Sequence, residues 1–352
     1  MQFTDLKSFL TEAGLDAEHS STPIRAEASS RKYFRIAFDN PGSGPASVIL
    51  CAGLPIPYND DDHFVEVCEF LLANHLPAPR VLAIDRNQGR ILLTDAGETD
   101  LSDVLRTATP QAKEALLQQA IDLMIAMQEL NPPTIVADRS FDAEKLKAEL
   151  EFLFEALRSV CQAYDVPDPV AFELRMFLEQ LCESLAKAAP RVFAHRDYHT
   201  RNIMARPPAG EAAAGSKYEL ALIDFQDARM GLPYYDLASL LYDPYASLSL
   251  KDRQMGLTYF RAKTRLTELP GTGLYYAQAL QRLLKALGTY VHQVHAKAHA
   301  GYLPSIPIAL QGIEEVCQLG RFPDSLFLFI RAVQRDVYPV LAKRLQSGGR
   351  PE

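Results

Sequence analysis

The stretch AHRDYHTRN, residues 194–202, constrains this chain more than any other segment. It follows the apolar run RVFA and places His195, Arg196, Asp197 and Asn202 in one short polar loop. Roughly twenty residues later LALIDFQDA sets Asp224 at the end of an apolar strand. The pattern predicts a small strand island at 191–194, 203–205 and 219–224. The Pro/Gly/Ala stretch RPPAGEAAAGSK (206–217) interrupts it as a flexible hairpin tip.

The segments before and after the island differ in character. KYFRIAF (32–38) alternates and is rich in aromatic and β-branched residues, ASVILCAG (46–53) is a second apolar run, and DNPGSGP between them is a turn, which predicts an antiparallel hairpin. DDHFVEVCEFLLANHL (61–76) has helical spacing at Phe64, Val67, Cys68 and Leu71 and ends before Pro77 and Pro79. RVLAIDRNQGRILLTDAG (80–97) adds two short strands around an Asn-Gln-Gly turn. From Asp100 onward the pattern is helical, with 110–130, 142–160 and 169–189 as the clearest segments before the island and further helices after it. The expected architecture is therefore α+β: an N-terminal lobe, 1–97, with one helix on a small antiparallel sheet, and a larger, mainly helical lobe, 98–352.

Composition excludes several function classes. At 352 residues with 48% hydrophobic and 23% charged residues, the chain has the balance of a globular protein with a sizeable core. A net charge of −8 argues against general binding to nucleic acid or to an acidic membrane surface. No run is long and apolar enough for a transmembrane helix, and MQFTDLKSFLTEAG reads as a short amphipathic helix rather than a signal peptide. Cys51, Cys68, Cys161, Cys182 and Cys317 are scattered without a C-x-x-C pair, as expected of buried reduced thiols in a cytoplasmic protein.

The polar loop suits one chemistry. Phosphoryl transfer from a nucleotide requires a carboxylate to accept the proton of the acceptor hydroxyl and hard oxygen ligands to hold Mg2+ against the phosphates. Both must come from fixed backbone positions. The loop fits every fixed position of the kinase pattern H-R-D-x-x-x-x-N. The same residues also have a purely structural reading, with Asp197 and Asn202 capping a turn and Asp224 closing a strand. His195 reads as a brace of the loop rather than a chemical group.

Together HRDYHTRN, LIDFQDARMGLPYYDLASLLYDPY and ASSRKYFRI resemble the aminoglycoside phosphotransferase superfamily, the small-molecule branch of the protein-kinase-like fold. Within it the chain is most similar to the bacterial N-acetylmuramate/N-acetylglucosamine anomeric kinases of peptidoglycan recycling, over about residues 20 to 310. The resemblance implies a bilobal fold with ATP in the cleft, Asp197 as catalytic base, and Asn202 and Asp224 as Mg2+ ligands. Asp236, in YYDLASLL, matches a family aspartate that holds the catalytic loop through buried hydrogen bonds. Asp243 reads as a helix-end residue, and Asp227 is either a substrate contact or an exposed loop carboxylate.

The N-terminal lobe departs from the kinase pattern in two places. There is no G-x-G-x-x-G loop, so Ser29 and Ser30 of the turn AEASS are the candidates to contact phosphate oxygens. SVILCAGLP lacks the usual lysine, while strand alternation puts Arg31, Tyr33 and Arg35 on one face, where one or both guanidiniums would meet the nucleotide phosphates. For the acceptor, His199, Arg201, Asp227 and Glu149 are candidates, with Glu151 and Phe152 on the same predicted helix. The sequence carries no tryptophan, which the similar sugar kinases use near this region. The leading expectation is an ATP- and Mg2+-dependent kinase for an amino-sugar hydroxyl, with the anomeric one as the specific candidate. Its sugar 1-phosphate would pass to a nucleotidyltransferase. A kinase for an aminoglycoside, a choline-like alcohol or homoserine, and a nucleotide-binding pseudokinase, stay open as alternatives.

Overall fold

The computed structural model describes residues 6–15, 17–24, 31–39, 44–61, 63–207 and 217–346. The chain divides into two compact units, Met1–Val104 with Asn202–Asp227 and Leu105–Arg201 with Ala228–Glu352. It re-enters the first unit inside the AHRDYHTRN stretch, between Arg201 and Asn202.

The first unit is built on a five-stranded antiparallel sheet. Its strands are β1 (His19–Ile24), β2 (Lys32–Phe38), β3 (Ser47–Ala52), β4 (Val81–Asp85) and β5 (Arg90–Thr94), in the spatial order β1-β2-β3-β5-β4. Alternation along β2 sends Ile36 and Phe38 into a core shared with Val48, Leu50 and Leu92, and the short helix Leu6–Glu12 covers it with Leu6, Phe9 and Leu10. A second helix, Phe64–Ala73, buries Phe64, Val67, Cys68 and Leu71 at helical spacing. It starts later than the 61–76 pattern suggests, at a left-handed His63, and Asp60 accepts from the first-turn backbone N–H of Val65 and Glu66 at 2.9 and 3.1 Å.

Ile203–Arg206 and Glu219–Leu222 form an antiparallel hairpin in the same unit. Its backbone is tied down by Ala205 N–H to the Thr99 carbonyl at 2.9 Å and Leu222 N–H to the Pro77 carbonyl at 2.8 Å. The predicted hairpin tip within 206–217 lies largely outside the described residues, as do Ser29 and Ser30.

The second unit is mainly helical, as expected. Thr109 and Asp142 cap the helices Pro110–Gln128 and Ala143–Tyr164 with side-chain oxygens. The long helix Thr272–Lys297 packs against Ala143–Tyr164 at Gly288, where a Cβ would stand 2.8 Å from the Leu153 Cα. The two backbones come this close only because residue 288 has no side chain. A two-stranded ladder, Val192–Ala194 with Arg229–Gly231, completes the unit and leads into the polar loop. Among the described residues, no helix is long and apolar enough to cross a membrane, and all five cysteines are buried free thiols.

Gly288→Ala forces the two helices apart and is expected to lower the unfolding free energy by about 1–3 kcal/mol, read from urea denaturation. An unchanged midpoint would mean that this close approach is not a constraint.

Candidate active site

In the second unit the loop after Ala194 is held by its backbone. The helix Tyr234–Leu241 presents Asp236, fully buried, whose carboxylate accepts from the N–H of His195 at 2.6 Å and of Arg196 at 3.0 Å. These bonds hold Arg196 in left-handed backbone, φ 80°, which a non-glycine residue adopts only when its surroundings impose it. Burial pushes the Asp236 carboxyl up to about 7, against the lowering effect of the two N–H groups. At the other end of the loop, Asp243 accepts from the Thr200 N–H at 2.7 Å and from the Thr200 hydroxyl, and its second oxygen accepts from Tyr245 N–H at 3.0 Å. Between the clamps, the Tyr198 hydroxyl donates to the Ala120 carbonyl at 2.7 Å. His195 is buried, with its ring edge-on to Tyr198.

Asp243 is therefore a second loop clamp, which the sequence did not reveal. Its partners are backbone N–H groups of a distant loop, and no residue spacing reports them.

Asp197 projects from the clamped loop into a ring of cations. Lys285 Nζ stands 3.2 Å and an Arg282 guanidinium nitrogen 3.6 Å from its Oδ1, both carried by Thr272–Lys297. Burial alone would raise the Asp197 carboxyl, but Lys285, Arg282, Arg196 and His199 outweigh it and hold the group well below the usual carboxylate range. Arg282 is fixed from behind by the Ser239 hydroxyl, to which its Nε donates at 2.8 Å. Beside it opens a small recess lined in part by His199, Ser239, Asp243, Tyr245, Arg282 and Tyr290. Arg201 stacks on Tyr245, its guanidinium carbon 3.5 Å from the ring centroid.

Two acceptor candidates are placed otherwise than expected. Glu149 is only 8% exposed and accepts from Gln281 Nε2 at 3.0 Å, so it contributes negative charge beneath Arg282 and Lys285 rather than a surface contact. Glu151 is bound to Arg175 at 2.8 Å. Lys285 and Arg282 are the residues the sequence reading missed, since on an amphipathic helix they look like ordinary solvated charges.

The other half of the predicted constellation belongs to the first unit. Because Ile203 pairs with Leu222, the hairpin continues outward through Ile223 N–H to the Asn202 carbonyl at 3.0 Å. Asn202 and Asp224 then meet across its open end, with Asn202 Nδ2 3.3 Å from Asp224 Oδ2. Phe225 stacks on Phe64 at 5.3 Å and fixes the turn, while Asp224 has left-handed backbone, φ 63°. Asp227 lies on the following turn, half-buried. One carboxylate and one amide oxygen on a rigid hairpin end fit Mg2+, which is held by one or two carboxylates together with substrate phosphates. No group of three or more His, Cys, Asp or Glu suited to a metal occurs among the described residues.

On the sheet, Arg31 bonds the Tyr33 hydroxyl, faces the Phe64 ring at 6.0 Å and lies near Cys51; Asp224 acts on the same Tyr33. Arg35 corrects the expectation for it. Its guanidinium donates to both Asp95 oxygens at 2.6 and 3.1 Å, to Glu98 at 3.1 Å and to the Gly97 carbonyl at 2.8 Å. With four contacts inside the unit, Arg35 is committed to an internal ion pair. Strand alternation placed both residues on one face but could not show that Asp95 waits beside one of them.

The sequence profile of the phosphotransferase enzyme family matches residues 20–269. The chain belongs to this family. An N-acetylmuramate/N-acetylglucosamine kinase of Pseudomonas aeruginosa is 27% identical over 321 residues, covering 86% of this chain and 88% of that protein. Among solved structures, an ethanolamine kinase of Plasmodium vivax superposes with a TM-score of 0.59 at 12% identity, over 88% of this chain and 85% of that one. The streptomycin–ATP ternary complex of the phosphotransferase APH(2")-IIa superposes with a TM-score of 0.51 at 13% identity, over 90% of this chain and 97% of that one. These structural likenesses establish the kinase-like fold, and the family makes the chain a phosphotransferase enzyme.

Removing either clamp unpins the loop. Asp236→Ala leaves two donors and Asp243→Ala three without an acceptor, and each is expected to cost about 2–4 kcal/mol of stability, measured by thermal or urea unfolding. A loss below about 0.5 kcal/mol for Asp243→Ala would remove it from this role. The cations around Asp197 give a second expectation. Its folded-state pKa is lowered, so the carboxylate persists as pH falls below the ordinary aspartate range. Lys285→Met should shift the acid limb of kcat/KM upward by about 1–2 pH units.

Proposed function

We propose that this protein is a cytoplasmic ATP- and Mg2+-dependent kinase that phosphorylates a hydroxyl of an amino sugar, the anomeric hydroxyl of N-acetylmuramate or N-acetylglucosamine. The observation that carries the proposal is Asp197: a carboxylate kept ionised by Lys285 and Arg282, 23% exposed, on a loop clamped at both ends. The amino sugar is suggested by the likeness to the Pseudomonas aeruginosa kinase along most of both chains.

Asp197 orients the acceptor hydroxyl and takes its proton as the oxygen attacks phosphorus. A carboxylate held so far below its usual range is a weak base. It suits an anomeric hydroxyl, which is more acidic than an ordinary alcohol. Asn202 and Asp224 would hold Mg2+, which when bound offsets phosphate charge, and Arg31 meets the nucleotide phosphates with a planar set of donors. His199 and Arg201 stand at the acceptor side, beside Tyr245. The product, a sugar 1-phosphate, is the substrate class of a nucleotidyltransferase.

The ring of cations disfavours the alternative acceptors that are themselves cationic, aminoglycosides and choline-like alcohols, because Lys285 and Arg282 would repel them at the base. The presence of Asp197, Asn202 and Asp224 together disfavours a pseudokinase.

Phosphate transfer from ATP to a panel of sugars, amino alcohols and aminoglycosides tests the proposal. Turnover is expected on N-acetylmuramate or N-acetylglucosamine, with Asp197→Asn reducing kcat by about 10²–10⁴-fold. Turnover confined to cationic acceptors, or none on any acceptor, would overturn it. Arg31→Ala should raise KM for ATP by about tenfold, whereas Arg35→Ala should lower thermal stability and leave that KM within about twofold. The reverse pattern would return the phosphate role to Arg35.

A further inference from the structure

Lys285 lies 3.2 Å from Asp197 Oδ1, and among the described residues this is the one acceptor within hydrogen-bond distance of its ammonium. An ammonium carries three donors, so Asp197 takes one and the others face the accessible side of the group, open to a ligand. Its cationic neighbour differs in kind. Arg282 is anchored on Ser239 and sits further from the carboxylate, at 3.6 Å. The charged groups facing Lys285 are Asp197, Glu149, Arg282 and Arg196, and Glu149 is already bound to Gln281. Burial and the two guanidiniums draw the ammonium below its ordinary range even with Asp197 beside it, as a local excess of positive charge requires. The side chains of Lys285 and Asp197 nevertheless keep 17% and 23% of their exposure, so a ligand can reach both.

This arrangement creates a conflict during the reaction proposed above. When Asp197 also takes the acceptor hydroxyl, Lys285 must share the one carboxylate that accepts its hydrogen bond, with only the more distant Glu149 to offset its charge. A buried ammonium without a counter-charge is costly. An acceptor that carries its own carboxylate near the reacting hydroxyl removes the conflict. N-acetylmuramate is N-acetylglucosamine bearing a carboxylate on a short ether arm, so the two sugars differ in this feature.

We infer that Lys285 is a specificity-determining residue that binds a carboxylate of the acceptor, exchanging its contact with Asp197 for one with the substrate and so favouring acidic over neutral amino sugars. The inference rests on the proposed amino-sugar kinase reading for its ligands. A binding measurement, however, tests it separately from turnover.

The test is calorimetric titration of N-acetylmuramate and of N-acetylglucosamine into wild type, Lys285→Met and Lys285→Gln, all with ADP and magnesium present. Wild type is expected to bind the acidic sugar more tightly. Both variants should reduce the ratio of the two affinities by about 10- to 100-fold, the worth of one charge-assisted hydrogen bond. Using a ratio within one preparation cancels effects common to both sugars, including a change in the basicity of Asp197 or a fraction of unfolded protein. The glutamine variant serves if the methionine variant does not fold. The inference is overturned if wild type binds the two sugars alike, if it binds neither, or if the variants keep the wild-type ratio. That last result would assign Lys285 to Asp197 or to the transferring phosphoryl group, which both acceptors share. Lysine-dependent binding of the acidic sugar without phosphate transfer from ATP would sustain the inference and refute the kinase reading.

Discussion

Two buried carboxylates, Asp236 and Asp243, hold the AHRDYHTRN loop by its main chain, and the rest of the site depends on them. Each accepts backbone N–H groups, from His195 and Arg196 at one end and from Thr200 at the other. Backbone anchoring fixes the path of the loop and leaves the Asp197 side chain free to project from it. It also supports the left-handed conformation of Arg196, which the chain would otherwise avoid. Both carboxylates come from one segment, the helix Tyr234–Leu241 and the residues just after it, so a single rigid element sets the register of the whole loop.

The loop in turn aims Asp197 at Lys285 and Arg282, and this electrostatic setting separates the reading favoured here from its competitors. A base surrounded by cations is ionised at every working pH but weak, which matches an acidic hydroxyl better than an ordinary alcohol. The same cations are poor neighbours for a cationic acceptor and good ones for an anionic one. Thus one small cluster on the Thr272–Lys297 helix bears on reactivity and on selectivity together. Gly288, one turn further along, is what allows that helix to lie against Ala143–Tyr164 and bring Glu149 beneath the cluster.

The sequence was most informative where chemistry demands fixed spacing. The loop and the loop-holding carboxylate of Asp236 were legible because local pattern and family resemblance both report them, whereas the strand expected to end at Asp224 stops at Leu222 and leaves Asp224 in a left-handed turn. Four of the five sheet strands and the helices before the polar loop were legible from period and turn residues, within a few residues at their ends, whereas the edge strand β1, His19–Ile24, was not. What stayed hidden depends on contacts between distant segments. Asp243 looked like a helix end because its partner is a loop backbone, and Lys285 drew no notice because its partner lies 88 positions away. Arg35 was placed on the right face of β2, yet only the folded sheet shows that Asp95 occupies it.

The central claim is that Asp197 serves phosphoryl transfer to an anomeric hydroxyl. Phosphorus–proton correlation NMR on the product formed from ATP and N-acetylmuramate tests it most directly. The account predicts a new phosphate-ester resonance coupled to the anomeric proton. An ester coupled to any other sugar proton, or release of inorganic phosphate without an ester, would contradict it.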